Sequence, residues 1–470
     1  MSVAKEQREK LIWEFPNIGK KAPEQEEKAF AYCEGYKEFL NVAKTEREFV
    51  REAVLRLKEA CYEEFEEGKI YQPGDKVYQI NRKKALLMST FGKRPLEDGV
   101  RINVAHIDSP RLDLKPNPLY EKAEAAYFKT HYYGGIRKYQ WATIPLAMHG
   151  VVILKDGTSV DICIGEKEGD PVFCVTDLLP HLAAQQNERK LKDGIKGEEL
   201  NIIVGSLPYP CEEEDSIKEP VKLLALSILN ERFGMTEKDF LRAEIEFVPA
   251  VKATDVGLDR SLVGAYGQDD RVCAYTSLAA MLGTKAELER TACCLLVDKE
   301  EIGSVGATGM QSRFFENVAA EIISLQGDYT DIKLRRCLAN SKMLSSDVNA
   351  GYDPLFAEAF EKKNASFCGR GVVFSKFTGS RGKSGSNDAN AEYIAKLRKI
   401  MDDNNVNYQM AELGKVDVGG GGTIAYIMSL YGMEVIDCGV PILNMHAPWE
   451  IASKADVYEA KKCYDAFLEN

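Results

Sequence analysis

The chain has 470 residues, 45% hydrophobic and 29% charged, ordinary usage for a soluble globular protein and enough to bury a large core without disulfides or structural metals. Its 73 acids outnumber 61 bases, for a net charge of -12, which argues against a nucleic-acid partner because phosphate binding needs a basic face. The amino terminus, MSVAKEQREKLIWEFP, lacks an apolar signal-type run, and apolar stretches such as ACCLLV at 292–297 fall far short of the ~20 residues that span a bilayer.

At ~150 residues per domain the length suggests two or three domains. The first segment reads as helical: Thr45 and Glu48 form a capping box, and Phe49, Val50, Ala53, Val54 and Leu57 recur at helical spacing. The strand VRINVAHID follows at 100–108. Strand-like segments then crowd residues 111–250, among them AMHGVVILKDG, SVDICIG, NIIVGS and AEIEFV, with one helical run, VKLLALSILNERFG, and a polar stretch at 186–200. Beyond about residue 250, short apolar runs alternate with helical patterns: RVCAYTSLAAML, TACCLLVD, KMLSSD, VVFSKF, NAEYIAKLRKIM, EVIDCGVPILNMH and a closing helix at 455–468. Such alternation predicts an α/β fold with a mostly parallel sheet between helices, interrupted by a β-rich insert at 111–250. The 12 cysteines include no CxxC pair, and Cys293 and Cys294 read as small core hydrophobes. This usage predicts a reducing compartment, most simply the cytoplasm. The glycine run Gly419–Gly422 reads as an anion-binding loop or, more simply, as backbone passing close to another element. Gly382-Lys383-Ser384 is no phosphate loop, because Phe377 stands where the motif needs glycine.

Chemistry concentrates at the predicted strand ends. Only five histidines occur, and two of them close apolar runs: His106, with Asp108 two residues on, and His446. Two further runs deliver Glu300 with Glu301, and Asp347, while Asp269-Asp270 precedes an apolar helix. In open α/β sheets ligands bind beyond the carboxyl ends of the strands. Two imidazoles with several carboxylates suit Zn²⁺, Co²⁺ or Mn²⁺. The count exceeds one closed site; two metals sharing a bridging carboxylate account for it and leave one Glu as a base. Alone, each piece has a plain structural reading as a satisfied histidine or a solvated acid. His131 and His149 lie within the insert and read as structural.

The ordered motifs AHIDSPRLDLKP, YYGG, LPHL, DDR, VDKEEIGS, SSD and LNMHAPWE resemble the aspartyl aminopeptidase / aminopeptidase I family of dinuclear zinc metallopeptidases, from about residue 30 to the carboxyl terminus. The resemblance implies a discontinuous catalytic domain at 1–110 and 251–470 and a dimerisation domain at 111–250. It implies that His106 and Asp347 hold one metal, that Glu301 and His446 hold the other, and that Asp269 bridges them. Zinc is the expected ion, with cobalt or manganese as alternatives. Glu300 becomes the general base, and Asp108 orients the His106 imidazole. Neighbouring residues on an extended segment point opposite ways, so Glu301 is expected to face metal and Glu300 the substrate. His181, in LPHL, matches a histidine that enters the partner subunit's active site, in a tetrahedral dodecamer built from dimers.

The expected activity is removal of amino-terminal residues from short peptides. Selectivity is less determined. Arg381 or Lys383 could supply the basic group that acidic-selective relatives place in the side-chain pocket, yet those relatives carry a His just after the metal-binding Asp, where this chain reads Val348-Asn349-Ala350. Neutral or broad selectivity is equally compatible. The same residues could also serve a carboxypeptidase or deacylase, or persist in a silent oligomeric scaffold; the DSP, YYGG and LPHL context and the intact ligand set argue against both.

Overall fold

The structure, a computed structural model, describes residues 2–21, 23–210 and 217–470. Its centre is a nine-stranded sheet in the order Glu63–Glu64, Lys76–Asn81, Ala85–Thr90, Ala292–Val297, Arg101–His106, Lys342–Ser345, Glu434–Gly439, Val372–Ser375, Tyr408–Met410. The four middle strands run parallel. The antiparallel strands Ala85–Thr90 and Val372–Ser375 flank them.

The strand Ala292–Val297 explains why its sequence is apolar without alternation. Ala292, Cys294 and Leu296 pack into one core, with the helices Glu26–Val42, Glu46–Glu59, Gln268–Gly283, Ala391–Asp403 and Lys454–Glu469. Cys293, Leu295 and Val297 pack into the other, with Phe314–Leu325 and Asp331–Asn340. A strand buried on both faces loses the period-two polar signature and keeps only apolar residues. The helix Glu46–Glu59 begins at the expected capping box, in which Thr45 and Glu48 satisfy each other's backbone N–H groups.

A second, seven-stranded sheet lies wholly between residues 111 and 249. Its order is Ser159–Ile164, Leu146–Ile153, Ala243–Pro249, Arg111–Lys122, Ala125–Tyr133, Ile202–Gly205, Cys174–Val175, and every pairing is antiparallel. It has its own apolar core, to which the helix Pro220–Phe233 contributes Val221, Ala225 and Leu229. The polar stretch at 186–200 forms short turns of helix rather than strands.

A third sheet of five short strands was not expected. It joins Thr254–Val256, Leu262–Ala265, Glu450–Ser453, Pro441–Leu443 and Asn349–Ala350. The predicted strand EVIDCGVPILNMH is therefore two strands: it leaves the nine-stranded sheet at Gly439 and enters the five-stranded one at Pro441. His446 does not close a strand; it lies in a turn beyond Leu443, with a left-handed φ of 65°. The glycine run serves close approach: a Cβ on Gly419 would stand 2.1 Å from the Leu413 carbonyl oxygen, and one on Gly420 2.3 Å from that of Gly379. Among the described residues no helix is long and apolar enough to cross a membrane.

Candidate metal centre and active site

The parallel strands release their chains at one edge of the sheet, and the acids and imidazoles gather there. His106 ends its strand beside Val297. Asp347 follows the strand Lys342–Ser345, and Glu300 and Glu301 follow Ala292–Val297. Asp269 and Asp270 open the helix Gln268–Gly283 with non-helical dihedrals, which turn them out of the helical spiral.

Asp269 is central. Its Oδ1 lies 3.2 Å from His106 Nε2 and its Oδ2 lies 3.1 Å from His446 Nε2. His106 Nε2 is also 3.8 Å from Asp347 Oδ1, and His446 Nε2 is 3.5 Å from Glu301 Oε1. Thus His106, Asp269, Glu301, Asp347 and His446 are brought into one cluster. Asp270, to which the sequence reading gave no role, joins it: its ligand atoms group with those of His106 and Asp347, and both its oxygens are buried without a hydrogen-bond partner.

Glu300 and Glu301 reach the cluster by a different geometry from the one expected. They lie in a 3-10 turn, Glu300–Ile302, between left-handed Lys299 and Gly303, not on an extended segment. The turn is pinned by Asp108. The Asp108 carboxylate accepts the backbone N–H of Glu300 at 3.1 Å and of Glu301 at 3.2 Å. His106 Nδ1 stands 3.0 Å from the Asp108 carbonyl oxygen and 3.4 Å from its carboxylate, so Asp108 meets the imidazole chiefly through its backbone.

Glu450 is a second residue without a signal of its own. Its carboxylate, fully buried, accepts the backbone N–H of His446 at 2.8 Å and of Asp269 at 3.0 Å, fixing two members of the cluster relative to each other. It lies inside LNMHAPWE, four residues past His446, but an acceptor for backbone amides leaves no periodic trace in sequence.

The cluster holds more buried carboxylates than imidazoles. Burial works against charge on both imidazoles, yet hydrogen bonds and proximity to Asp269 hold their pKa values above the ordinary range. Burial pushes the Asp269 carboxyl up too, but His106 and His446 bring it below its usual value. Burial first, and the neighbouring Asp269 next, push Glu301 well up; Asp347 is raised by burial against the partial offset of His106, with Asp269 and Glu300 adding to the rise. Glu301 Oε1 is buried without a hydrogen-bond partner. Two imidazoles facing a larger set of buried carboxylates, two of them with oxygens lacking a hydrogen-bond partner, form a donor set that fits divalent cations, whose charge favours ionised carboxylates and neutral imidazoles.

The remaining predicted residues lie outside the cluster. His181 sits in the exposed turn Pro180–Leu182 of the seven-stranded unit, and among the described residues no hydrogen bond or ion pair ties it to the cluster. Lys383 is exposed, pairs with Asp388 at 2.9 Å and lies 3.8 Å above the Phe377 ring. Arg381 and Lys383 line a small cavity that shares Thr378 and Leu413 with another containing Asp347, Ser375, Thr423 and Asp437. His149 lies apart from the cluster, with its ring nitrogens 2.8 Å from Glu48 and 3.0 Å from Glu166. His131 is exposed, with Nδ1 2.9 Å from the Tyr132 carbonyl oxygen.

Known proteins carry the same architecture. The profile of the aminopeptidase I zinc metalloprotease (M18) family matches residues 39–468. A probable M18 family aminopeptidase 1 from Clostridium acetobutylicum is 56% identical over 465 residues, 98% of this chain and 99% of that protein. The crystal structure of an aminopeptidase I from the same organism, at 51% identity, superposes with a TM-score of 0.90 over 98% of this chain and 100% of its own. An M18 aminopeptidase from Thermotoga maritima, at 44% identity, superposes with a TM-score of 0.93 over 97% of this chain and 100% of its own. The S. cerevesiae mApe1 dodecamer, at 20% identity and a TM-score of 0.77, shares the fold. The family match across nearly the whole chain, on a fold whose sheet edge gathers imidazoles and acids, places this chain in the M18 family of zinc metalloaminopeptidases.

Proposed function

We propose that this aminopeptidase works through two divalent ions, zinc first, and removes amino-terminal residues from short peptides. His106 and Asp347 would hold one ion and Glu301 and His446 the other, with Asp269 between them. The observation that carries this is the placement of the two Asp269 oxygens, 3.2 Å from one imidazole and 3.1 Å from the other. When bound, the ions supply Lewis acidity, lowering the pKa of a water and polarising the scissile carbonyl.

Glu300 takes the proton of the attacking water and returns it to the leaving amine. Asp108 holds the Glu300–Glu301 turn and the His106 ring in place. The free amino terminus of the substrate would sit on one of the ions, with nearby carboxylates in support. Anchoring the amino terminus there would account for cleavage one residue at a time. The substrate side chain enters the space between Asp347 and the Arg381–Lys383 loop. There Asp388 offsets the Lys383 charge, which supports neutral or broad selectivity over acidic selectivity.

The seven-stranded unit serves dimerisation, and dimers build a tetrahedral dodecamer, the assembly size that the S. cerevesiae mApe1 structure shows for that protein. Support comes from Leu178, Leu179 and Leu182, which expose 50%, 50% and 67% of their surface around His181. In the assembly His181 enters the partner's active site. The proposed location is the cytoplasm, in keeping with cysteines that are mostly buried as small hydrophobes.

Metal content tests the centre. Asp269→Ala should lose both ions and turnover together, because it removes the bridge. An Asp269→Ala protein that kept two tightly bound ions and full activity would overturn the assignment.

A further inference from the structure

The seven-stranded sheet touches the metal centre at one turn. The strand Ala125–Tyr133 runs into Gly134 and Gly135, and these three residues meet the cluster at three points. The Tyr133 hydroxyl donates to Asp108 Oδ2 at 2.8 Å. His446 Nδ1 lies 2.9 Å from the Gly135 carbonyl oxygen. Gly134, at a φ of 79°, passes so close that a Cβ would stand 3.0 Å from Glu301 Oε2 and 3.3 Å from Glu301 Cβ.

Asp108 is the relay for the first contact. The carboxylate that accepts from Tyr133 also accepts both backbone N–H groups of Glu300 and Glu301, and its own backbone carbonyl meets His106 Nδ1. The Tyr133 ring is itself fixed. The Arg111 guanidinium lies 3.9 Å over its centroid and is held by Asp113 at 2.8 Å, Glu246 at 3.1 Å and Glu46 at 3.4 Å. The hydroxyl is thus aimed at Asp108 by a ring that cannot easily turn.

We propose that the Tyr133–Gly135 turn is a positioning element for the metal centre: through Asp108 the Tyr133 hydroxyl holds His106 and the Glu300–Glu301 turn, and the Gly135 carbonyl holds His446. The inference rests on the two-ion reading above. Hydrogen bonds to the far nitrogen of a ligating imidazole fix its tautomer and direction, and losing such outer contacts costs ~10–100-fold in metal affinity or activity. Here those contacts belong to the inserted sheet, so the metal affinity of one unit depends on how the other docks. Tyr133 and Gly135 need touch neither ion nor substrate for this.

The test is Tyr133→Phe, which removes only the hydroxyl and leaves the ring under Arg111. Zinc affinity is read on the assembled protein by competition with a chelator, beside kcat, KM and the melting temperature of the metal-stripped protein. The expected result is zinc bound ~10–100-fold more weakly and a lower kcat at unchanged KM, both measured well below the melting temperature of the metal-stripped variant, so that the loss is not one of folding. Wild-type zinc affinity in Tyr133→Phe overturns the proposal. Tyr132→Phe, one residue earlier on the opposite face of the strand, should match the wild type. If Tyr133→Phe does not fold, Gly134→Ala decides: its methyl group presses on Glu301 while the hydroxyl stays, so weaker zinc binding supports the turn's role and wild-type affinity overturns it. Asp269→Ala, assayed alongside, separates the two readings. If it loses zinc while Tyr133→Phe keeps it, the positioning role alone is wrong; if Asp269→Ala itself keeps zinc, the two-ion centre is wrong.

Discussion

The nine-stranded and seven-stranded sheets solve different problems with the same backbone chemistry. In the first, helices cover both faces and the parallel strands end together, so the polar groups that the chain carries are displayed at one edge. In the second, antiparallel hairpins scatter the strand ends, and strands such as Ser159–Ile164 alternate buried with open positions. The candidate ligands His106, Glu301 and Asp347 come from the first sheet, and Asp269 and His446 from segments packed beside it. The second sheet contributes orienting contacts at Tyr133 and Gly135 and, in our proposal, a histidine donated to a neighbour. The difference teaches that the sheet which gathers the charged groups need not supply every contact that orients them.

The sharpest way to break this division is at Glu300, where chemistry should fail while the ions remain. Glu300→Gln keeps size and hydrogen bonding but removes the base. Turnover should fall by ~10²–10⁴-fold. Metal content should stay near that of the wild type, because Glu300 is outside the proposed ligand set. Normal turnover in this variant would assign the base to another residue.

A smaller loss should follow from the other sheet. His181→Ala should lower turnover by ~10²–10³-fold, the usual cost of one donor to a developing oxyanion, with metal binding and folding intact. Co-assembled His181→Ala and Glu300→Gln chains should regain activity, since one site of a mixed dimer receives both an intact base and a donated imidazole. If subunit exchange is shown independently and the mixtures are no more active than their parents, donation between subunits is excluded.

The two sheets were unequally legible in the sequence. Buried parallel strands are apolar runs, and a His or acid just past such a run stands out, so the gathering of His106, Glu300, Glu301 and Asp347 at one sheet edge is legible in the sequence. His446 stands out as a strand end, where the structure has a turn instead. The chain changes sheets at Val440 without a polar interruption, because both strands are buried there. The 3-10 turn at Glu300 has no sequence mark to set it apart from an extended segment, because left-handed Lys299 is neither Gly nor Asn. Tyr133, Asp270 and Glu450 stayed without roles: their partners are backbone amides, a distant carboxylate or nothing but the cluster itself, and such contacts have neither period nor spacing.

The last prediction concerns the joint between the two units rather than the chemistry. His149, in the strand Leu146–Ile153, is buried between Glu48 of the helix Glu46–Glu59 and Glu166, while Lys44 closes the group at 2.7 Å from Glu166. Cys163 is its cross-strand neighbour, and Arg51 adds positive charge near Glu48. Burial alone would lower the imidazole pKa, but the hydrogen bonds and charges of Glu166 and Glu48 raise it from 6.5 to about 9. Because the folded pKa is the higher one, the stabilisation is complete below pH 6.5, declines as the pH rises and is gone above about 9. A shift of this size corresponds to roughly 3 kcal/mol at most, at ~1.4 kcal/mol per pH unit. His149→Gln leaves the two carboxylates facing each other with Lys44 as their nearest cation, and it touches nothing in the metal cluster. Thermal and urea unfolding should therefore show the widest gap between wild type and His149→Gln near pH 6, narrowing by about 3 kcal/mol towards pH 9.5, with kcat and metal content little changed. A gap that is constant across that range would mean that His149 joins the units by packing alone.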